Sequence, residues 1–153
     1  MLEQKIKDKT AVVAILGLGH VGYPLASLFA KAGFKTIGYD IDKRRLDAIK
    51  QGKALVEISC LLRIDGINRT KIISEISRNL TVSSEEKILK GADVFIVAVP
   101  TPLKENETPN LFYLENTCRT ISKSIKKDAL VILESTVYPG ATEEVVKPIM
   151  QNP

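Results

Sequence analysis

Gly17-Leu18-Gly19-His20-Val21-Gly22 follows the apolar run from Ala11 to Leu16 and opens an amphipathic stretch, and Asp40 closes the next apolar run eighteen residues after Gly22. Glycine is common, so a bare G-x-G-x-x-G says little. Set between a strand and a helix, with an acid at the end of the following strand, it marks a dinucleotide-binding site. In that reading Gly17 makes the tight turn out of the strand and Gly19 lets the backbone approach a pyrophosphate. Gly22 brings the helix close to the sheet. The N-terminus of that helix offers unpaired N–H groups and a partial positive charge to phosphate oxygens.

The acid decides between cofactors. A carboxylate at Asp40 accepts both ribose hydroxyls of an adenosine and repels a 2′-phosphate, which favours NAD over NADP. Lys43, Arg44 and Arg45 follow closely and pull the other way, since an NADP site uses arginine there. They read first as a solvated helix start, with one arginine covering the adenine face as the functional alternative.

Alternation of apolar runs with helical patterns along the rest of the chain predicts a parallel sheet covered by helices. Ala11 to Leu16 is the first strand, and Val21, Leu25, Leu28, Phe29 and Ala32 define the apolar face of the next helix, which Gly33 ends. Lys35 to Tyr39 is the second strand, and Asp42 caps a helix running to about Lys50. Short helical patterns surround Leu61 and Ile72 to Ile76 within an irregular stretch from Gly52 to Asn79. Leu80 to Ser83 reads as a third strand, Ser84 to Leu89 as a helix, and Val94 to Val99 as a fully buried fourth strand ending at Pro100-Thr101-Pro102. Beyond a polar loop from Lys104 to Pro109, Asn110 caps a helix bearing Leu111, Leu114, Cys118, Ile121 and Ile125. Ala129 to Leu133 is the fifth strand, and Thr142 to about Met150 a last helix that Pro148 should end or kink. The expected fold is an α/β, Rossmann-type doubly wound parallel sheet of one domain. The complete fold has a further strand after that last helix, so the 153 residues are expected to lack it and to be the N-terminal part of a longer protein.

Composition narrows the function classes. A chain that is 44% hydrophobic and 26% charged can bury one core. No apolar run approaches the roughly 18 to 20 residues needed to span a bilayer, and the charged start MLEQKIKDKT lacks the apolar segment of a signal peptide. A cytoplasmic location follows as an expectation. The net charge of +4 is dispersed, with few aromatics, which gives no support to nucleic-acid binding. Cys60 and Cys118 suggest neither a disulfide framework nor a metal site.

In this fold ligands lie across the carboxyl ends of the strands, so Val99 to Leu103 and Glu134-Ser135-Thr136 join Gly17 to Gly22 and Asp40 as candidates. The prolines flanking Thr101 hold the chain extended and leave its hydroxyl for ribose or pyrophosphate, although such a loop is also an ordinary strand terminator. Glu134-Ser135-Thr136 could line a nicotinamide pocket or cap the helix beyond Gly140. Thr136 is the best candidate for a polar role near the reaction centre. His20 packs or faces solvent more readily than it serves as a base.

Together the glycine loop, Tyr39-Asp40-Ile41-Asp42, Val99-Pro100-Thr101-Pro102-Leu103 and Leu133-Glu134-Ser135-Thr136-Val137-Tyr138-Pro139-Gly140 resemble the N-terminal domain of the UDP-glucose/GDP-mannose dehydrogenase family, the nucleotide-sugar 6-dehydrogenases. The V-P-T-P and L-E-S-T forms with Y-P-G resemble the branch acting on UDP-N-acetylglucosamine or UDP-N-acetylmannosamine. The resemblance implies that Gly17, Leu18, Gly19, His20, Val21 and Gly22 hold the NAD pyrophosphate, Asp40 the adenosine ribose and Arg45 the adenosine end. It also implies cofactor contacts from Val99, Thr101, Ser135 and Thr136, with Thr136 helping to hold a catalytic water. Family members oxidise the C6 alcohol of a UDP-sugar to the carboxylate in two hydride transfers to NAD⁺, through a thioester on a cysteine. That cysteine, with its lysine, asparagine and aspartate neighbours, has no counterpart among these residues. The chain alone is therefore expected to be catalytically incomplete, and its parent a homo-oligomer. The sequence departs from the family at Glu57-Ile58-Ser59-Cys60-Leu61, where a Glu-Pro-Gly-Leu-like stretch is common. Two other classes remain: a β-hydroxyacid dehydrogenase domain, against which the Glu134 to Gly140 motif argues, and a non-enzymatic NAD-sensing module.

Overall fold

The β-branched and leucine-rich runs become five parallel strands in a computed structural model, which describes residues 1–51, 74 and 76–151. They are β1 (Val12–Leu16), β2 (Lys35–Tyr39), β3 (Leu80–Ser83), β4 (Val94–Val97) and β5 (Leu130–Leu133), in the spatial order β3-β2-β1-β4-β5. The helices are α1 (Leu2–Lys7), α2 (Gly22–Lys31), α3 (Lys43–Lys50), α4 (Phe112–Ser122) and α5 (Lys147–Gln151), with a 3₁₀ turn at Glu86–Leu89 and a π turn at Thr142–Val146. The predicted patterns around Leu61 and Ile72 to Ile76 fall largely outside the described residues.

Alternation along each strand divides the interior into two layers. Val13 and Ile15 of β1, with Val94 and Ile96 of β4, pack with Tyr23 and Ala26 of α2 and Leu46 and Ile49 of α3. On the opposite face Ala14, Leu16, Phe95 and Val97 pack with Leu114, Cys118 and Ile121 of α4 and with Val146. β1 and β4 are therefore apolar on both faces, as central parallel strands must be. β5 is different. Its Leu130 and Ile132 stand in register beside Val94 and Ile96 yet are 41% and 37% exposed.

β4 stops at Val97, two residues short of the sequence reading, the helix expected over Ser84 to Leu89 is the 3₁₀ turn at Glu86–Leu89, and three further features depart from that reading. The buried face of α2 is Gly22, Tyr23, Ala26, Ser27 and Ala30, while Val21, Leu28 and Ala32 of the predicted stripe are exposed. Small side chains at spacing four let the helix axis approach the sheet, and hydropathy alone ranks leucine above alanine for that face. Pro148 does not end the last helix, which runs on to Gln151. It is the second residue of α5, directly after the π turn, whose wider ring relieves the clash a proline ring makes with the carbonyl four residues back. Helix α1 was not anticipated. It buries no residue fully, and its anchor is the Lys5 ammonium on Asp93, 2.8 Å away.

Asp93, at the amino end of β4, also accepts from Lys126 at 2.7 Å and from the Val12 N–H at 2.9 Å. Burial raises the pKa of its carboxyl, but these cationic and N–H partners lower it more, so the group lies well below the usual carboxylate range. This clamp sits at the sheet's amino end, away from the strand ends that carry the candidate site residues.

Candidate cofactor site

The turn from β1 into α2 is shaped by two close approaches. Gly17 has φ +91°, and a Cβ there would lie 2.6 Å from the Ala98 carbonyl oxygen of the neighbouring strand end. A Cβ on Gly22 would be driven into the Gly17 carbonyl oxygen and would stand 3.3 Å from the Ala98 Cβ. Around Gly19 the situation is opposite, with no atom within 4 Å of where a Cβ would be. The fold thus requires glycine at both ends of the motif and leaves open space over its middle. Val21 precedes α2 without a side-chain cap, and the N–H groups of Gly19, His20 and Val21 make no backbone hydrogen bonds among the described residues. Unpaired donors at the start of a helix, beside open space, suit the oxygens of a pyrophosphate.

Asp40 emerges at the end of β2 and is 5% exposed. Its Oδ2 accepts from the Leu18 N–H at 2.7 Å, which ties the acid to the glycine loop, and its Oδ1 accepts from the Asp42 N–H at 2.9 Å. Arg45, one turn into α3, donates from Nη1 to Oδ2 at 2.7 Å. Asp42 caps α3 as expected, accepting from the Arg44 N–H at 3.0 Å. Ile41, between the two acids, is 71% exposed.

The other half of the strand-end row is built from hydroxyls. Thr101 Oγ1 donates to the Thr136 carbonyl at 2.6 Å, and Ser135 Oγ donates to the Val99 carbonyl at 2.7 Å. The Ser135 N–H also reaches the Val97 carbonyl at 3.1 Å. These bonds stitch the loop after β4 to the loop after β5. Neither Ser135 nor Thr136 caps the following helix, whose N-cap Ala141 has no side-chain bond. Thr136 itself is exposed, and Tyr138 donates its phenol to Glu144 Oε2 at 3.1 Å. The loop from Leu103 to Pro109 is a closed turn, with the Lys104 N–H on the Thr108 carbonyl and the Asn110 N–H on the Pro102 carbonyl, each at 2.8 Å.

The structure therefore joins Gly17, Leu18, Asp40 and Arg45 in one bonded cluster, and Val99, Thr101, Ser135 and Thr136 in a second. His20 is exposed at the loop. Sequence reasoning missed the Arg45 bond to Asp40 and the stitching role of Ser135, and the signal for the first was present as a basic residue five positions after the acid. Cys118 is fully buried in α4, and burial pushes its thiol up to about 11, so it stays protonated at neutral pH and is no nucleophile. Among the described residues there is no group of three or more His, Cys, Asp or Glu able to hold a metal, and no helix long and apolar enough to cross a membrane.

Residues 11–153 match the family model described as UDP-glucose/GDP-mannose dehydrogenase family, NAD binding domain. The chain is 40% identical over 143 residues to a UDP-N-acetyl-D-glucosamine 6-dehydrogenase of Pseudomonas aeruginosa, covering 94% of this chain and 31% of the relative. It is 36% identical over 135 residues to the UDP-N-acetyl-D-mannosamine dehydrogenase of Pyrococcus horikoshii, covering 88% and 31%. Among solved structures, the UDP-N-acetyl-mannosamine dehydrogenase of Staphylococcus aureus superposes with a TM-score of 0.75 at 28% identity, over 93% of this chain and 33% of that one. The chain thus spans about a third of the length of the relatives it matches. With its strand order, uncapped glycine turn and buried acid at β2, the chain belongs to the UDP-glucose/GDP-mannose dehydrogenase family as its NAD-binding domain.

Proposed function

We propose that this domain supplies the cofactor half of a nucleotide-sugar 6-dehydrogenase that oxidises the C6 alcohol of a UDP-N-acetylhexosamine. The observation that carries the reading is the continuous row of strand ends from Asp40 through the Gly17–Gly22 turn to the stitched Thr101 and Ser135 loops. Along it, Gly19, His20 and Val21 offer N–H donors to the pyrophosphate, and Asp40 accepts from the adenosine ribose with Arg45 beside it. The Val99 to Thr101 and Ser135 to Thr136 segments flank the nicotinamide end, where Thr136 leaves its hydroxyl exposed for substrate or water. When bound, NAD⁺ supplies the hydride acceptor. The residues here would hold and orient it.

The sugar preference rests on the names of the relatives together with the V-P-T-P and Y-P-G forms. Cys118, buried and protonated, takes no part in covalent chemistry on the sugar. We place the parent enzyme in the cytoplasm as a homo-oligomer.

Calorimetric titration with NAD⁺ tests the reading. Wild-type protein is expected to bind one NAD⁺ and Asp40→Ala to bind about 30-fold more weakly, the loss of a charge-assisted hydrogen bond. Equal binding by the two proteins would remove Asp40 from the site, and absence of binding by folded wild-type protein would remove the site itself.

A further inference from the structure

The acid at the end of β2 does not present a bare negative charge. Asp40 Oδ2 already accepts from the Leu18 N–H and from Arg45, each at 2.7 Å, while among the described residues Oδ1 accepts only from the Asp42 N–H. A carboxylate oxygen has about two lone-pair positions, so Oδ2 is filled and Oδ1 has one left for a ribose hydroxyl. The Arg45 side chain is 43% exposed, and among the described residues its one side-chain hydrogen bond is the one to Oδ2. Nearby, Asp42 is engaged with the Arg44 N–H and lies 3.6 Å from the Arg44 guanidinium. Arg44 and Arg45 thus each stand against an acid, Asp42 and Asp40, at the end of β2.

We infer that Arg45 is the residue that sets discrimination between a 2′-hydroxyl and a 2′-phosphate, by neutralising Asp40 and so narrowing the preference for NAD⁺ over NADP⁺. The inference rests on the reading that Asp40 faces the adenosine ribose. Repulsion of a 2′-phosphate needs an uncompensated carboxylate, and the ion pair removes most of that field at contact range. Without the guanidinium, Oδ2 becomes free to accept a ribose hydroxyl and the acid regains its full charge. NADP⁺ then loses affinity while NAD⁺ keeps it.

The test is parallel titration of the full chain with NAD⁺ and NADP⁺, comparing wild type with Arg45→Met, which keeps an apolar stem, and Arg45→Lys, which keeps the charge. The ratio of the NADP⁺ to the NAD⁺ dissociation constant is expected to widen by about tenfold in Arg45→Met, to stay near wild type in Arg45→Lys, and to differ less between the variants at high salt. An unchanged ratio with both cofactors weakened equally would make Arg45 a packing group for the adenine and overturn the inference while leaving the site standing. A ratio that narrows in Arg45→Met would overturn it as well. If folded wild-type protein binds neither cofactor, the cofactor site fails and the inference with it.

Discussion

The two halves of the strand-end row achieve rigidity by different means. Around β1 and β2 the backbone is packed so tightly that side chains are forbidden: Gly22 rests against the Gly17 carbonyl, and the acid holds the loop through the Leu18 N–H. At the loops after β4 and β5 side-chain hydroxyls do the tying, Thr101 to the Thr136 carbonyl and Ser135 to the Val99 carbonyl. The first half leaves its N–H donors for a ligand. The second spends the Thr101 and Ser135 hydroxyl protons on the protein and leaves the side chain of Thr136 exposed. Substitutions in the first half that spare its packed backbone should therefore register mainly as lost binding, and removal of the Ser135 or Thr101 hydroxyl in the second mainly as lost stability.

Gly22→Ala should have the largest effect. Its Cβ collides with backbone, so the turn must open, and NAD⁺ affinity is expected to fall by more than about 100-fold with a stability loss of roughly 3 kcal/mol, read by calorimetry and thermal melting. Gly19→Ala sharpens the contrast. The surrounding space is empty, so melting should be unchanged within about 0.5 kcal/mol while NAD⁺ binding weakens by roughly tenfold. A melting loss as large as that of Gly22→Ala would mean that the loop middle is packed and not ligand-facing.

Asp93→Asn, at the opposite end of the sheet, serves as the comparison outside both halves. It should lower stability by about 2 kcal/mol at neutral pH and leave NAD⁺ affinity alone. Because the folded state holds this carboxyl below its ordinary value, its stabilisation is complete above about pH 4 and is lost as pH falls from there. Acid unfolding monitored by circular dichroism should accordingly be less steep in the variant. A parallel acid limb in both proteins would show that the clamp is not what acid breaks.

Ser135→Ala should have the smallest effect, a loss of about 1 kcal/mol in stability with NAD⁺ affinity changed less than about threefold. A large binding defect with normal melting would reverse the assignment and make the second half as ligand-directed as the first.

The same physical difference explains what could be read from the residues alone. The five strands, the Asp42 cap and the glycine turn follow from local rules of period, capping and steric exclusion, and the strand limits stand within two residues of where the sequence puts them. The buried face of α2 was misjudged because alanine at close contact outperforms leucine only once the sheet is in place. The Ser135 and Thr101 bonds span 36 and 35 positions, and the Lys5 anchor of α1 spans 88. No local pattern encodes such pairings. Arg45 lies between these cases. Its proximity to Asp40 in sequence was visible, but whether it faced solvent, adenine or the acid depended on how α3 leaves β2.

Leu130 and Ile132 lie beside Val94 and Ile96, but their flank of β5 stays wet among the described residues. Such a strip limits how concentrated a preparation of this domain can become before it clouds, because water is better excluded between two copies than from one. Polar replacements there, such as threonine, extend the monodisperse range and leave the ligand-facing edge untouched.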